Sequence, residues 1–367
     1  MWLVPVLTAA AFFAVGCTAE KIVTSETASA VTELVIPENS ELPARYDARE
    51  DGRTTPVKNQ GDLGTCWAFA SLLALESSLL PEESYDFSED HMSHDPNFLL
   101  DQKSGGDYIM SMAYLLSWRG PVLEEEDPYG DGISPEGLTA AKHVQEIRIL
   151  PAYDREAVKA AVYRTGGVQS ALYTTLQRQE QDSRYYNDKT GAYYYSGTLP
   201  PNHDVVIVGW DDDYPAENFS ELPPDNGAFL CENSWGTGFG EAGFFYVSYY
   251  DTNLCTTNLL YSDVEPADNY DRIYQTDLCG WLGQIGYGNE NVWGANVYTA
   301  SAGMQQICAV GFYAVDADTE YDRHRHGRAG PAGSRLEALK AKEAWNGIRN
   351  GSVCGLLHHT ACGTGKS

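Results

Sequence analysis

The spacing of apolar positions divides the chain into a helical part followed by a β-rich part. From Cys66 to about Leu80, apolar side chains recur at intervals of three and four residues, which predicts a mostly buried helix. Further helices are predicted at 106–120 and 135–146. From Gly167 onward, short apolar runs are bounded by Gly, Asn, Asp and Pro, and they predict strands at 168–173, 204–210, 228–232 and 243–249. Helices followed by strands favour an α+β domain.

The beginning of the chain has a different pattern. Residues 2–15 form one apolar run that is too short to span a bilayer, and they predict the hydrophobic core of an export signal. The run ends in AVGC, which resembles a bacterial lipoprotein processing box and makes Cys17 the expected lipidation site of a signal at 1–17. An ordinary cleaved signal with an incidental cysteine is the alternative.

Segment 18–41 is rich in Thr, Ser and Glu and predicts a flexible spacer. Together with the signal, it leads us to expect an exported protein of the cell envelope or the extracellular space. Its contact with a membrane would then be made only through the lipid anchor at Cys17.

Charge separates the end of the chain from the rest. The protein carries 24 basic and 52 acidic residues, a net charge of −28 at pH 7. Residues 1–322 hold 16 basic and 50 acidic residues (net −34), whereas residues 323–367 hold 8 and 2 (net +6). The acidic majority excludes a general nucleic-acid binder, which needs a basic face, and makes anionic membrane surfaces poor partners.

The first candidate chemistry lies in the segment TPVKNQGDLGTCWAFA, which runs from Thr55 to Ala70. Cys66 opens the predicted helix, and a helix N-terminus stabilises a thiolate through its unpaired N–H groups and its dipole. Gln60 precedes this cysteine in the same segment. Its side-chain amide and the backbone N–H of Cys66 can together hold the oxyanion of a tetrahedral intermediate.

Two later segments supply partners for a reactive thiol. His203, in the run NHD, opens a predicted buried strand and can face the thiol across a cleft. Asn233 follows in the run ENSWG, and its amide oxygen can orient the imidazole and fix its tautomer.

These segments resemble the papain-like cysteine peptidases over residues 42–250. The resemblance assigns roles to four residues: the oxyanion-hole amide, the nucleophile, the general acid/base and the orienting amide are Gln60, Cys66, His203 and Asn233. It implies a two-lobed fold, with a helical left lobe and a β-barrel-like right lobe, over residues 42–257. It also implies hydrolysis of protein or peptide substrates by a thiolate–imidazolium pair, which should keep the pKa of the Cys66 thiol below its ordinary value, without metal or cofactor.

The same resemblance extends to three further residues. Trp235 is expected to shield the Asn–His hydrogen bond from water, and Gly105 and Gly106 are expected to form the edge that pairs with the substrate backbone. Two features depart from the family pattern: Leu63 replaces a cysteine of a structural disulfide, and an acidic, Pro-rich insertion occupies 211–226. We interpret that insertion as a solvated loop.

The C-terminal part resembles the lectin-like β domain that bacterial exported members of the family carry behind the peptidase. We expect a partial domain of β-sandwich type at 258–318, with possible glycan contact as its implied function. The basic segment 319–367 resembles nothing expected there. We predict that it is disordered, or an artefact of the reading frame or gene annotation, or a recent fusion.

Several alternatives stay open from the residues alone. Cys66 can be a buried structural thiol within an inactive envelope-binding or adhesion protein, or the Cys–His pair can serve a transferase that forms amide bonds. His91 and His94 have metal-pair spacing, but the segment favours a surface helix, and no metal site is expected. Candidates for two disulfides, with pairing undetermined, are Cys231, Cys255, Cys279 and Cys308.

Overall fold

A computed structural model describes residues 42–176, 183–283, 298 and 309–313, and the backbone of five short strands between 306 and 362. The predicted signal with Cys17 and the predicted spacer lie outside the described residues. Within the described ranges, no helix is both long and apolar enough to cross a membrane.

Four α-helices are described: α1 (Cys66–Leu79), α2 (Glu89–Ser93), α3 (Tyr108–Leu116) and α4 (Arg155–Arg164). Helix α1 begins at the predicted residue, and twelve of its 14 residues are buried. It is apolar or small on almost every face, so that α2 and α3 pack on one side of it and a sheet packs on the other. The helix is therefore the central element between a helical layer and a β layer.

The β layer is one mixed, mostly antiparallel sheet. Its first nine strands in chain order are β1 (Arg45–Asp47), β2 (Lys142–Leu150), β3 (Val168–Leu172), β4 (Tyr186–Asn187), β5 (Ala192–Tyr193), β6 (His203–Asp211), β7 (Ala228–Glu232), β8 (Phe244–Ser248) and β9 (Asn258–Pro266). The spatial order is β2-β9-β3-β6-β7-β8-β5-β4, and β1 pairs with β6. The four strands predicted from 168 to 249 correspond to β3, β6, β7 and β8.

Part of the predicted secondary structure is wrong. Segment 135–146, predicted as a helix, is a loop followed by the first five residues of β2, and Val144 and Ile147 are buried where β2 pairs with β9. Helix α4 was not predicted; the Asp154 carboxylate caps it by accepting a hydrogen bond from the backbone N–H of Ala157 (3.0 Å). Tertiary pairing therefore decides β2, whereas a local cap marks the start of α4.

The C-terminal part contributes short strands. These are β10 (Gln306–Ile307), β11 (Arg323–Gly327), β12 (Leu336–Ala341), β13 (Ser352–Cys354) and β14 (Ala361–Cys362), and β13 pairs with the edge strand β2. Four of them lie in 319–367, where the sequence predicts disorder. The predicted start of the C-terminal domain at 258 falls within β9, which is paired with β2 and β3.

The predicted disulfides are not found among the described residues. Cys231, Cys255 and Cys279 are free thiols, as is Cys66, and Cys308 lies outside the described residues. Cys231 is completely buried in β7, where a free thiol packs like a small apolar side chain.

Candidate active site

The loop before α1 is held by hydrogen bonds in place of the missing disulfide. The hydroxyl of Tyr129 donates to the Gln60 carbonyl (2.9 Å) and lies 2.6 Å from Oγ1 of Thr65. These contacts join both ends of the loop to one side chain. Cys66 is consequently fixed as the first residue of the buried helix α1, and it remains partly exposed.

Gln60 is buried and its side chain is oriented by two hydrogen bonds. Its Nε2 donates to the carbonyl of Leu63 (2.7 Å), and its Oε1 accepts from Oγ of Ser234 (2.6 Å). A carboxamide nitrogen carries two protons, so one N–H of Gln60 remains for a ligand. The backbone of Gln60 also donates to the Ser234 carbonyl, which ties this loop to the segment of Asn233.

His203 and Asn233 form a direct hydrogen bond. Nε2 of His203 lies 2.8 Å from Oδ1 of Asn233, and both residues are buried. The indole of Trp235 stacks on the imidazole, with ring centroids 4.6 Å apart, and so lies beside this bond. Because Nε2 is the donor to the amide oxygen, Nδ1 is the nitrogen that can exchange a proton with a thiol.

Burial dominates the electrostatics of the nucleophile. It raises the pKa of the Cys66 thiol to about 12, and the carboxylate of Asp204 acts in the same direction. The backbone N–H groups of Asp204, Trp67 and Cys66 itself oppose this by donating to the sulfur. The direction is opposite to the lowered pKa that the resemblance implies, because the thiol is desolvated beside an acid.

The histidine is desolvated in the same way. Burial lowers the pKa of His203 to about 4, and the hydrogen bond that its ring N–H donates to Asn233 opposes the effect. A thiolate alone and an imidazolium alone are therefore both unfavourable here. Proton transfer from Cys66 to His203 creates the two charges together, and their mutual attraction offsets part of both costs.

Gly105 and Gly106 lie against the start of α1. Gly105 has a φ of +80°, a conformation that side-chain-bearing residues rarely adopt. A Cβ on Gly106 would clash with the indole of Trp67, the residue that follows the nucleophile. The two glycines therefore place bare backbone beside Gly64 and Trp67, which lie within two residues of Cys66 in the chain.

Asp204 is a site residue that the sequence reasoning missed. It follows His203 directly, its charge raises the pKa of the Cys66 thiol, and its Oδ2 accepts from Nε2 of Gln169 (2.8 Å). The available signal was an acid in the run NHD, immediately after the predicted general base. Nothing in the sequence indicates that its carboxylate acts on the thiol.

A second missed feature is a group of buried carboxyls around one lysine. Nζ of Lys58 lies 3.0 Å from Glu76 and 2.9 Å from Glu89, and both acids are fully buried. Glu232, immediately before Asn233, is buried as well, and its Oε1 has no hydrogen-bond partner among the described residues. Burial raises the pKa of Glu232 to about 8, with Glu76 adding to the effect and Lys58 opposing it.

Two segments that were predicted to lie at the surface in contact with solvent, the helix of His91 and His94 and the insertion 211–226, make buried contacts instead. His91 and His94 lie at a short helix whose other residues are mostly buried, and Nδ1 of His91 is 2.7 Å from the Tyr114 hydroxyl. Among the described residues, no group of three His, Cys, Asp or Glu side chains is arranged to hold a metal ion. In the insertion 211–226, Asp212 is not simply solvated, because it pairs with Lys159 and accepts from the Tyr249 hydroxyl (2.6 Å).

A cysteine at a helix N-terminus, an adjacent amide, and a histidine oriented by an asparagine under a tryptophan define a cysteine protease site. Residues 42–262 match the family described as papain family cysteine protease, and the chain belongs to that family. Residues 273–342 match a lectin-like domain, and this match includes the first part of the basic segment.

Curated relatives and solved structures agree with this family. Cathepsin K of Gallus gallus is 32% identical over 225 residues, covering 58% of this chain and 60% of the relative. Cathepsin S of Bos taurus is 29% identical over 233 residues, covering 59% and 63%. The chain thus spans about three fifths of the length of these relatives.

The clostridial cysteine protease Cwp84, solved after propeptide cleavage, superposes with a TM-score of 0.69. The two are 26% identical, and the match covers 85% of this chain and 87% of that chain. The protease and lectin-like domains of Cwp84, which is described as a surface-layer-associated protein of Clostridium difficile, give a TM-score of 0.66 at 24% identity. The latter comparison shows a shared fold that includes a lectin-like domain.

Proposed function

We propose that the chain is a cysteine endopeptidase in which Cys66 attacks peptide carbonyls and His203 moves the protons. The observation that carries this proposal is the buried His203–Asn233 hydrogen bond, beside Trp235, in the same site as a cysteine at the start of α1. A structural thiol needs no oriented imidazole and no spare amide donor beside it. Membership of the papain family supports the same conclusion.

In the acylation half, the Cys66 proton passes to Nδ1 of His203, and the sulfur adds to the carbonyl carbon of the scissile bond. The oxyanion accepts hydrogen bonds from the free N–H of Gln60 and from the backbone N–H of Cys66. The C–N bond then breaks as His203 returns the proton to the leaving amine. A thioester between Cys66 and the acyl part of the substrate remains.

In the deacylation half, His203 removes a proton from water, and the resulting hydroxide adds to the thioester carbonyl. The C–S bond breaks, the carboxylic acid leaves, and the proton on His203 returns to the sulfur. Asn233 holds the imidazole in one orientation through both transfers. No step uses a metal or an organic cofactor.

Hydrolysis is tested with the purified chain and an unfolded protein substrate in ¹⁸O-labelled water. We expect one ¹⁸O atom at each newly formed C-terminus, and no cleavage by the Cys66→Ala variant. Incorporation of an added primary amine in place of ¹⁸O would indicate a transferase. Absence of any cleavage by a folded, reduced wild-type protein would support the inactive scaffold.

We also propose that the protein is exported and anchored by a lipid on Cys17, and that its lectin-like part contacts glycans. The apolar run at 2–15 with its AVGC ending supports export, and the match at 273–342 supports the glycan contact. The intact mass of the mature protein from a bacterial membrane fraction tests the anchor. A wild-type N-terminus that is diacylated at Cys17, and lost in Cys17→Ala, supports it, whereas an unmodified N-terminus contradicts it.

A further inference from the structure

A cavity of about 850 Å³ lies at the C-terminal end of α3, within the usual size range of small-molecule sites. It is lined by His143 and by residues of the segments 91–96, 118–119, 134–140 and 267–273. Helix α3 begins directly after Gly105 and Gly106 and ends nine residues later, roughly 13 Å further along its axis. The cavity and the candidate active site therefore lie toward opposite ends of this helix, and the described residues that line the cavity include none of the site residues.

Three parallel rings line this cavity. The indole of Trp118 is parallel to the imidazole of His143, with centroids 4.1 Å apart, and to the phenol ring of Tyr270, with centroids 5.7 Å apart. Trp118 and Tyr270 are partly exposed, whereas His143 is buried. An aromatic ring offers a flat apolar face, against which the C–H face of a sugar ring can pack.

The backbone of Trp118 is strained. Its φ is +55°, and its N–H donates to the carbonyl of Leu115 (3.1 Å), so that it terminates α3 in the left-handed conformation. Glycine usually occupies this position after a helix, because a side chain makes the conformation costly. A bulky tryptophan held there at a cost, with its ring at a cavity, points to a use for the ring.

Two histidines of the cavity are held by one ring nitrogen each. Nδ1 of His94 lies 3.1 Å from the backbone carbonyl of Asp90, and Nδ1 of His143 lies 2.6 Å from Oδ1 of Asn269. Both partners are acceptors, so each Nδ1 carries the proton; the amide nitrogen of nearby Gln102 already donates its two protons elsewhere. Nε2 of a neutral imidazole is then an acceptor, and neither Nε2 has a hydrogen-bond partner in the part of the chain that is described. Both rings can therefore accept hydrogen bonds from hydroxyl groups of a ligand.

The charged groups of the cavity do not favour an anionic ligand. Arg119 forms an ion pair with Asp95, which leaves the exposed Arg272 together with two exposed acids, Glu136 and Asp271. A phosphate group would meet more carboxylates than free guanidinium groups. A hydroxyl group both donates and accepts, so it suits this mixture of carboxylates, imidazole acceptors and a guanidinium donor.

We propose that this cavity is a binding site for a neutral saccharide. One sugar ring packs against the faces of Trp118 and Tyr270, and its hydroxyl groups bond to His94, to His143 and to the charged side chains at the rim. The site lies ahead of the lectin-like match at 273–342 except for Ile273, so it is separate from the glycan contact proposed for that part. It would hold the protein on a polysaccharide while the candidate active site, toward the other end of α3, stays free for a peptide.

The test is saturation-transfer NMR on the purified chain with cellobiose, maltose and N,N′-diacetylchitobiose, with each Kd obtained by titration. Two variants change the cavity: Trp118→Ala removes the central ring, and Thr139→Trp adds a large side chain at an exposed lining position. Tyr153→Ala is the matched control, because Tyr153 is also an exposed aromatic residue with a positive φ (+61°) but does not line the cavity. Thermal unfolding of each variant shows that it is folded, and Thr139→Trp keeps the test decisive if Trp118→Ala is not.

We expect the wild type and Tyr153→Ala to bind at least one of the three sugars with the same Kd, and Trp118→Ala and Thr139→Trp to bind it at least about tenfold more weakly. Saccharide binding that is equal in the wild type and in both cavity variants overturns the inference, because it would lie elsewhere, as in the lectin-like part. Absence of binding by the wild type to all three sugars overturns it as well. So does a cavity that binds casein peptides, in a manner lost in Trp118→Ala, and no sugar. Cleavage of a short peptide is measured in parallel, and its absence would bear on the proposed peptidase function alone.

Discussion

The imidazole Nε2 of His203 lies 2.8 Å from the amide oxygen of Asn233, under the indole of Trp235. This contact links the start of β6 to the end of β7, two strands whose pairing is set by apolar residues such as Val206 and Cys231. The chemistry of the site consequently depends on the register of a sheet. A shift of one residue would point either partner to the opposite face.

Removal of the orienting amide should reduce turnover more than binding. In Asn233→Ala, the imidazole can rotate and its tautomer is no longer fixed, so we expect kcat to fall about a hundredfold with little change in KM. Steady-state kinetics on a peptide substrate measure this, and a thermal unfolding curve shows whether the fold survives. An unchanged kcat in a folded variant would remove Asn233 from the mechanism.

Gln60 should contribute to catalysis by stabilising the oxyanion of the transition state. Loss of one oxyanion donor in Gln60→Ala should lower kcat about a hundredfold or more. Ser234→Ala is the matched control, because it removes the hydroxyl that positions Oε1 of Gln60 while the amide donor remains. We expect a clearly smaller loss in this control, and an equal loss in both variants would mean that packing of the loop, and not the donor, is responsible.

Asp204 should slow the formation of the thiolate. Its carboxylate raises the pKa of the Cys66 thiol, so Asp204→Asn should increase the rate of Cys66 alkylation by iodoacetamide at pH 7 by about tenfold. The gain should shrink below about pH 6, where Asp204 of the wild type is itself protonated. Peptide-resolved mass spectrometry measures the rate at Cys66 separately from the exposed Cys279. A rate that does not change at pH 7 contradicts this electrostatic role.

The buried Glu232 should make stability depend on pH. Its pKa in the folded protein, about 8, lies above its ordinary value, so between about pH 4.5 and pH 8 the folded state binds more proton than the unfolded state. The free energy of unfolding is therefore unaffected by Glu232 at low pH, where the carboxyl is protonated in both states. It decreases as the pH rises toward 8, because only the unfolded state ionises this carboxyl easily. Glu232→Gln should be more stable than the wild type by about 2–4 kcal/mol at pH 8 and similar to it at pH 4.5. Urea unfolding at both pH values tests this, and parallel pH profiles would contradict it.

The parts of the fold that were predictable are those with strong local patterns. Helix α1 and the strands β3, β6, β7 and β8 have long apolar runs, and the motifs around Cys66 and His203 have little freedom in spacing. The first five residues of β2 were included in a helix predicted at 135–146, because polar and apolar residues fit either period over a short window. Its identity depends on pairing with β9, which is more than a hundred residues away in sequence.

The electrostatics of the site were the least predictable part. The sequence indicates a thiol at a helix N-terminus, which alone lowers the pKa, but it does not show that burial and Asp204 act against the dipole. Likewise, nothing local indicates that the charge of Asp107 acts on Asp204, or that Glu76 and Glu89 share Lys58. These relationships arise from tertiary packing between segments that are far apart in the chain.

The most direct test of the account is labelling of the reduced protein with an epoxysuccinyl probe, followed by peptide mass spectrometry. The exposed Cys279 serves as an internal comparison, since it is a free thiol at a different place in the chain. The account predicts about one equivalent of label on Cys66 of the wild type, none on Cys279, and no label on Cys66→Ala. Absence of label on Cys66, or equal labelling of Cys66 and Cys279, would contradict the claim that His203 activates this cysteine.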